Sequence, residues 1–329
     1  MTILITGAAG YIGSHFVRRF LKTRQEKILA IDNLSGGYRP AIPDDEKLVF
    51  HQIEIADSTQ LNELIRTHEV TALVHFASSI LVGESEQQPL RYFKNNVSNT
   101  LSLFDSVLSN GIKHVVFSSS CAVYGDPLFM PLTEDHPRNP ISIYGQTKLM
   151  AEQVLESLHR TLDLSFVSLR YFNAAGADES GEIGEAHVPE THLIPNVLRV
   201  LTGQLECLQI YGDDFDTPDG TCIRDYIHVN DLADAHIAAL DLLRTSKRKL
   251  DEHINLGTGA GYSVKEIVDK CQEISGKKVK SLIKPRRAGD PPRLIANYAK
   301  AQALLSWQPR YELETILQTA WNWELNRRY

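Results

Sequence analysis

The chain has 329 residues, enough for about two domains with a sizeable core. Hydrophobic residues at 43% and charged residues at 23% are ordinary globular usage, which excludes a disordered or collagen-like chain. A formal charge of −7 removes the electrostatic basis for general phosphate-backbone binding, so no nucleic-acid partner is expected.

In chain order, Met1–Thr6 carries no basic segment before its apolar run and leads directly into glycines, so no signal peptide is expected. Short β-branched runs at Thr2–Thr6, Lys27–Asp32, Leu48–Gln52, Ala72–His75, His114–Ser118 and Ser165–Leu169 read as strands. Between them, helical periodicity covers Ile12–Thr23, Thr59–His68, Pro89–Asn110 and Ser142–Leu162. This alternation predicts βαβ units around a parallel sheet. From about Ala174, Gly, Asp, Glu and Pro fill Gly176–Pro195 and Asp213–Gly220, which predicts loops and short elements of a second region.

The longest weakly charged run, Val70–Val82, has 13 residues and contains His75, short of the ~20 needed to span a membrane. Cys121, Cys207, Cys222 and Cys271 form no CxxC pair and no histidine spacing typical of zinc. Reduced thiols, a cytoplasmic location and no metal are expected.

Three motifs carry chemistry. Gly7-Ala8-Ala9-Gly10-Tyr11-Ile12-Gly13 follows a predicted strand and opens a predicted helix. Such glycines let backbone approach a pyrophosphate, whose charge the helix N-terminus stabilises. Asp32 ends the second strand, where its carboxylate can accept from both ribose hydroxyls and would repel a 2′-phosphate, so NAD is favoured over NADP. Tyr144 and Lys148 form a YxxxK pair on one helical face. Spacing alone decides little, since 12 tyrosines give roughly one chance match in every two such chains. A nearby ammonium, however, can favour the ionised phenol, and lowering its pKa from ~10 to ~7 takes ~4 kcal/mol. Tyr144 could then take a proton from a substrate hydroxyl as its carbon gives up hydride. Ser118-Ser119-Ser120 follows the fifth predicted strand, at the sheet end where α/β folds bind ligands.

Together with His75-Phe76-Ala77, Asn95-Asn96-Val97, Arg170-Tyr171-Phe172-Asn173, Arg224-Asp225-Tyr226-Ile227-His228 and Pro285–Asp290, these motifs resemble the UDP-glucose 4-epimerase family of extended short-chain dehydrogenases/reductases nearly end to end. The resemblance implies a Rossmann-type doubly wound α/β sheet with a smaller mixed α/β substrate domain. It implies a discontinuous division, with 1–173 and 224–257 binding NAD and 174–223 and 258–329 binding UDP-sugar.

By the same resemblance, NAD takes hydride from sugar C4 and returns it to the opposite face, interconverting UDP-glucose and UDP-galactose. Tyr144 is the implied base, Ser120 the O4 partner, and Lys148 the group that lowers the tyrosine pKa. Gly7, Gly10, Tyr11, Ile12, Gly13, Asp32, Asn33, Glu54, Ile55, Phe76, Ala77, Ser78, Asn95, Ser118 and Phe172 are implied to line the cofactor. Asn173, His192, Leu193, Tyr211, Arg224, Tyr226, Arg287 and Asp290 are implied to surround the UDP-sugar, and Leu294 to border the sugar 2-position.

Three positions depart from the family pattern: Glu54 where aspartate is usual, Ile80 where some members have lysine, and His192 where some have asparagine. A UDP-N-acetylglucosamine 4-epimerase is the alternative on sugar preference. A sugar-nucleotide 4,6-dehydratase lacks its usual Asp-Glu here, because Cys121-Ala122 stands in that place. A non-catalytic NAD-binding module is disfavoured while Ser120, Tyr144 and Lys148 remain together. A homodimer is implied, paired through Pro89–Asn110 and Ser142–Leu162.

Overall fold

The computed structural model describes every residue except Ala288, which falls within the Pro285–Asp290 run and lies outside the described residues. Seven parallel strands form the main sheet: β1 (Thr2–Thr6), β2 (Lys27–Asp32), β3 (Leu48–Gln52), β4 (Val70–His75), β5 (His114–Ser118), β6 (Ser165–Tyr171) and β7 (Asp251–Leu256). Their spatial order is β7-β6-β5-β4-β1-β2-β3, so the chain reverses its winding between β1 and β4. Helices cover both faces, which is why β1 is buried along its whole length and lacks polar alternation at its centre, Ile3-Leu4-Ile5.

On one face, helices Tyr11–Thr23 and Val229–Thr245 bury Phe16, Phe20, Leu240 and Leu243 against Ile3, Ile5 and Val167. On the other, Leu61, Phe104, Val107 and Leu155 pack on Leu4, Leu73, Val115 and Phe117. The second region gathers helices Leu193–Thr202, Val264–Ser275 and Leu313–Leu325 around its own apolar cluster. It adds a two-stranded parallel sheet of Leu208–Tyr211 with Ser281–Lys284, and it is mixed α/β as expected. No described helix is long and apolar enough to cross a membrane.

Three expectations need correction. The helix expected over Pro89–Asn110 is broken into α-helix Pro89–Tyr92, a π-helical turn Phe93–Ser98 and α-helix Asn99–Ser109. The wider turn lets two successive side chains bond sideways: Asn95 donates to Ser79 Oγ at 3.1 Å, and Asn96 accepts from Ser79 N–H at 2.8 Å. The sixth strand runs two residues beyond Leu169, because the charge of Arg170 that marks an end in sequence is matched inside the fold by Glu152. The stretch read as loops to Pro195 ends earlier, because helix Leu193–Thr202 begins at Leu193 and its apolar face fills the second-region cluster.

Glu152 is fully buried and takes a bidentate pair from Arg170, with Nε at 2.9 Å and the second nitrogen at 2.7 Å. Glu152→Ala strands that guanidinium in the interior. A loss of about 3–5 kcal/mol in denaturant unfolding is expected, with much of it recovered by Glu152→Met combined with Arg170→Met. An unchanged midpoint in the single variant would count against this role.

Candidate active site

The glycine turn leaves β1 at the reversal of the sheet. Gly7 has φ +69°, and a Cβ on it would stand 2.5 Å from the Ala77 nitrogen in the strand-end loop after β4. Gly13 lets the helix lie on the turn, since a Cβ there would come within 2.1 Å of the Gly7 carbonyl. Gly10 is the N-cap of helix Tyr11–Thr23 and brings no capping side chain, so the first N–H groups, at Tyr11, Ile12 and Gly13, face outward for an anion. The Tyr11 hydroxyl donates to the Gly176 carbonyl at 2.6 Å.

At the end of β2, Asp32 is buried and accepts from Ala9 N–H at 2.9 Å and Leu34 N–H at 2.7 Å. Burial nevertheless raises its pKa. Each carboxylate oxygen retains a second acceptor site for a ribose hydroxyl. Asn33 donates to the exposed Glu54 at 2.9 Å, whereas Ile55 points into the core. The longer acid at position 54 is thus tied to the same loop as Asp32.

Phe76, Ala77 and Ser78 form the half-buried loop after β4, with Phe76 tilted over His236 at 4.7 Å between ring centres. Asn96 Nδ2 ties the next residue, Ser79, to helix Ile143–Leu162 by donating to the Ser79 carbonyl and to Thr147 Oγ1. Ile80 is exposed.

Ser120 caps the short 3-10 turn Cys121–Val123, accepting from Ala122 N–H at 3.2 Å. Helix Ile143–Leu162 begins against that turn. Ser142 Oγ accepts from Gly145 N–H at 3.1 Å, and a Cβ on Gly145 would lie 2.5 Å from the Ala122 carbonyl. That close approach brings Tyr144 to Ser120. Lys148, one turn further, donates to the Ser118 carbonyl at 2.8 Å, with its nitrogen 5.8 Å from the centre of the Tyr144 ring.

Burial dominates the electrostatics of this pair. Burial pushes the Tyr144 phenol well above its usual range, the nearby Tyr171 adds to this, and the Ser120 hydroxyl beside it opposes it. Burial also disfavours the charge of Lys148, taking it from 10.5 to about 7, against the pull of Glu152. Cys121 is no substitute acid, since burial pushes its thiol up to about 12.

Residues that the sequence reading left without a role complete the floor. His236 Nδ1 must donate to the Leu232 carbonyl, so in the neutral ring Nε2 accepts from Ser118 Oγ at 3.1 Å. Burial keeps that ring neutral, with a pKa of about 4. Ser118 Oγ can then accept from Tyr171 at 3.2 Å. Both partners lie far from Ser118 in sequence, and no local spacing signals them.

Of the residues implied to hold UDP-sugar, Arg224 and Asp290 pair at 2.5 Å, and Arg287 lies 3.9 Å over the Tyr211 ring. Asn173 donates to the Asp225 carbonyl at 3.1 Å. His192 is the N-cap of the helix that Leu193 opens, and its Nδ1 contacts Glu185 and Glu190 at 2.7 and 3.0 Å. Those carboxylates raise its pKa to about 10, against the partial burial that would lower it. Tyr226 and Phe172 are 6% and 7% exposed and pack into apolar clusters, Phe172 with Val123, Tyr124 and the neighbouring Leu294.

Because Lys148 is held below its unfolded value, between about pH 7 and 10.5 the unfolded chain binds the extra proton. Stability of the nucleotide-free protein therefore gains with rising pH from this group. Relative to Lys148→Met, wild type should gain in denaturant unfolding across that window, and a pH-independent difference would contradict the buried placement.

Residues 3–257 match the model of the NAD dependent epimerase/dehydratase family. The chain is 47% identical to a UDP-glucose 4-epimerase of Halalkalibacterium halodurans over 98% of this chain and 95% of that one. It superposes with TM-score 0.93 on the crystal structure of UDP-glucose 4-epimerase from Brucella ovis in complex with NAD, at 44% identity and 97% of each chain. The UDP-Glc/GlcNAc 4-epimerase from Campylobacter jejuni superposes with TM-score 0.85, at 42% identity and 99% of each chain. With its glycine turn, Asp32 and Ser120, Tyr144 and Lys148 on one such frame, this chain belongs to the NAD dependent epimerase/dehydratase family.

Proposed function

We propose that this chain is an NAD-dependent UDP-glucose 4-epimerase that interconverts UDP-galactose and UDP-glucose through a transient 4-keto sugar. The observation that carries the reading is the meeting of Ser120, Tyr144 and Lys148 at the end of β5, with no carboxylic acid beside the serine. The turn at Gly7–Gly13 and the buried Asp32 fit NAD, since a Cβ on Gly7 or Gly13 would close the cradle and the carboxylate disfavours a 2′-phosphate. Bound NAD supplies reversible hydride exchange at sugar C4 and, when oxidised, a positive charge.

The remaining work falls to the chain. Tyr144 takes the O4 proton and returns it, while Ser120 orients O4 by a hydrogen bond. Lys148, fixed on the Ser118 carbonyl, holds the nicotinamide ribose and, when protonated, favours the phenolate. Arg224 and Arg287 suit the diphosphate of UDP, which must stay anchored while the keto sugar turns over. The pairing of β7 with β6 supports assigning 1–173 and 224–257 to NAD and 174–223 and 258–329 to UDP-sugar.

Elimination of water, as in a 4,6-dehydratase, needs a further acid that Cys121 does not provide. UDP-N-acetylglucosamine epimerisation is the second reading, favoured by the intermediate size of Leu294 and by the double specificity named for the Campylobacter jejuni relative. The four cysteines are free thiols, which suits the cytoplasm.

Anomeric NMR signals followed with UDP-galactose and with UDP-N-acetylgalactosamine, without added NAD, test the assignment. UDP-galactose should convert, and Tyr144→Phe should retain NAD but lose about 10²–10⁴-fold in turnover. Wild-type turnover by that variant would sink the assigned base, and conversion of the N-acetylated sugar alone would reverse the sugar preference.

For the oligomer, we infer a homodimer through helices Asn99–Ser109 and Ile143–Leu162, whose Leu101 and Met150 are 45% and 40% exposed. Light scattering should give twice the chain mass, and Leu101→Asp with Met150→Asp should halve it; a monomeric wild type would refute the pairing.

A further inference from the structure

We propose that Glu185, His187, Glu190 and His192 form a binding site for a divalent transition-metal ion of the zinc type. The four side chains come from one short segment, in the order Glu-x-His-x-x-Glu-x-His, and one ligating atom from each lies within 4.8 Å of the others. Two imidazole nitrogens and two carboxylate oxygens are a donor set that zinc accepts.

The spacing fits a tetrahedral ion. With metal–ligand bonds of about 2.0–2.2 Å, ligand atoms on such an ion stand about 3.4 Å apart. In this structure Nδ1 of His187 and Nδ1 of His192 lie 3.0 and 2.7 Å from Glu185 Oε1. From Glu190, Oε1 lies 3.0 Å from His192 Nδ1 and Oε2 lies 4.0 Å from His187 Nδ1. Three of these separations are shorter than the required edge and one is longer, the short Glu190 contact being made by Oε1 and the long one by Oε2.

A plain hydrogen-bonded network accounts for part of the cluster and fails at one atom. Oε1 of Glu190 accepts from the backbone N–H of Thr191 at 2.8 Å and of His192 at 2.9 Å, and faces His192 Nδ1 as well. Oε2 of the same carboxylate is buried without any hydrogen-bond partner, on a side chain with no solvent exposure. An unpaired carboxylate oxygen in the interior is costly, and it faces the histidine that completes the set. A divalent ion cancels the −2 charge of two carboxylates and two neutral imidazoles and satisfies Oε2.

The surroundings hold the ligands and leave a way in. The Glu185 carbonyl accepts from Trp323 Nε1 at 2.8 Å and from Arg327 at 2.9 Å, which fixes the segment on the C-terminal helix Leu313–Leu325 and the residues just after it. His187 meets the Tyr11 ring edge-on at 6.0 Å, so the ion would brace the nucleotide turn against the C-terminal end of the chain. The His192 side chain is 41% exposed and opens the site to solvent.

The test uses the full chain with its own bound nucleotide, stripped of metal by a chelator, loaded with Zn²⁺ or Co²⁺, desalted and analysed for metal per chain. Wild type should retain about one ion, with the intense visible absorption of four-coordinate Co²⁺. His187→Ala and Glu190→Gln, each with wild-type circular dichroism, should weaken binding at least ~10-fold. If Glu190→Gln does not fold, His187→Ala decides alone. Failure of wild type to retain either ion, or equal retention by folded His187→Ala, overturns the proposal, and neither result depends on which sugar the chain epimerises.

Discussion

Glu152 is the residue on which the arrangement of the site depends. It lies on the same stripe of helix Ile143–Leu162 as Tyr144 and Lys148, two turns and one turn away. Its carboxylate accepts from Ser119 at 2.7 Å, Ser168 at 2.9 Å and Arg170 at 2.9 and 2.7 Å. One buried side chain thereby clamps the helix to the loop after β5 and to β6. Ser119 is adjacent to Ser120, so the clamp sets the distance between the helix and the serine turn. Arg170 passes the constraint on through Tyr124, which donates to Asn255 in β7 at 2.6 Å. A buried ion pair contributes little net stability compared with apolar packing, so its value here is positional.

The second constraint is the reversal of winding between β1 and β4. Loops leaving these neighbouring strands diverge toward opposite faces and open a crevice at the sheet's C-terminal end. Gly7 and Ala77 meet across it, and only a residue without Cβ permits the contact. The π-helical turn at Phe93–Ser98 then links the crevice to helix Ile143–Leu162, because Asn96 bonds Ser79 on one side and Thr147 on the other. The nucleotide turn and the Tyr144 helix are thus parts of one hydrogen-bonded frame.

Local order made the strands and the glycine turn legible in the sequence, since β1 and β2 have apolar centres and the spacing of Gly7, Gly10 and Gly13 marks a strand-to-helix turn. Tyr144 and Lys148 were legible through helical spacing. What escaped was fixed by distant partners. Arg170 stays within β6 because of Glu152, 18 residues away, and Ser118 is held by His236, 118 residues away. The π-helical turn depends on bonds from Asn95 and Asn96 to Ser79, which no periodicity announces. The glutamate and histidine cluster at 185–192 is not legible as a local motif, because the folded segment brings together carboxylates and imidazoles at irregular spacing.

The balance between Tyr144 and Lys148 makes the proposed base conditional. A phenol already needs ~4 kcal/mol of differential stabilisation to ionise near neutrality, and burial of Tyr144 raises that requirement. Lys148 cannot meet it alone, because the same burial leaves it only partly charged near pH 7. Positive charge in the pocket would therefore favour the phenolate that can accept a proton, and oxidised NAD, if held by Lys148, would supply it. Proton acceptance at Tyr144, as proposed, would then be tied to the state in which the pocket can also accept hydride. Glu152 favours the protonated form of Lys148 from one helical turn away, so the residue that positions the helix also keeps the ammonium available.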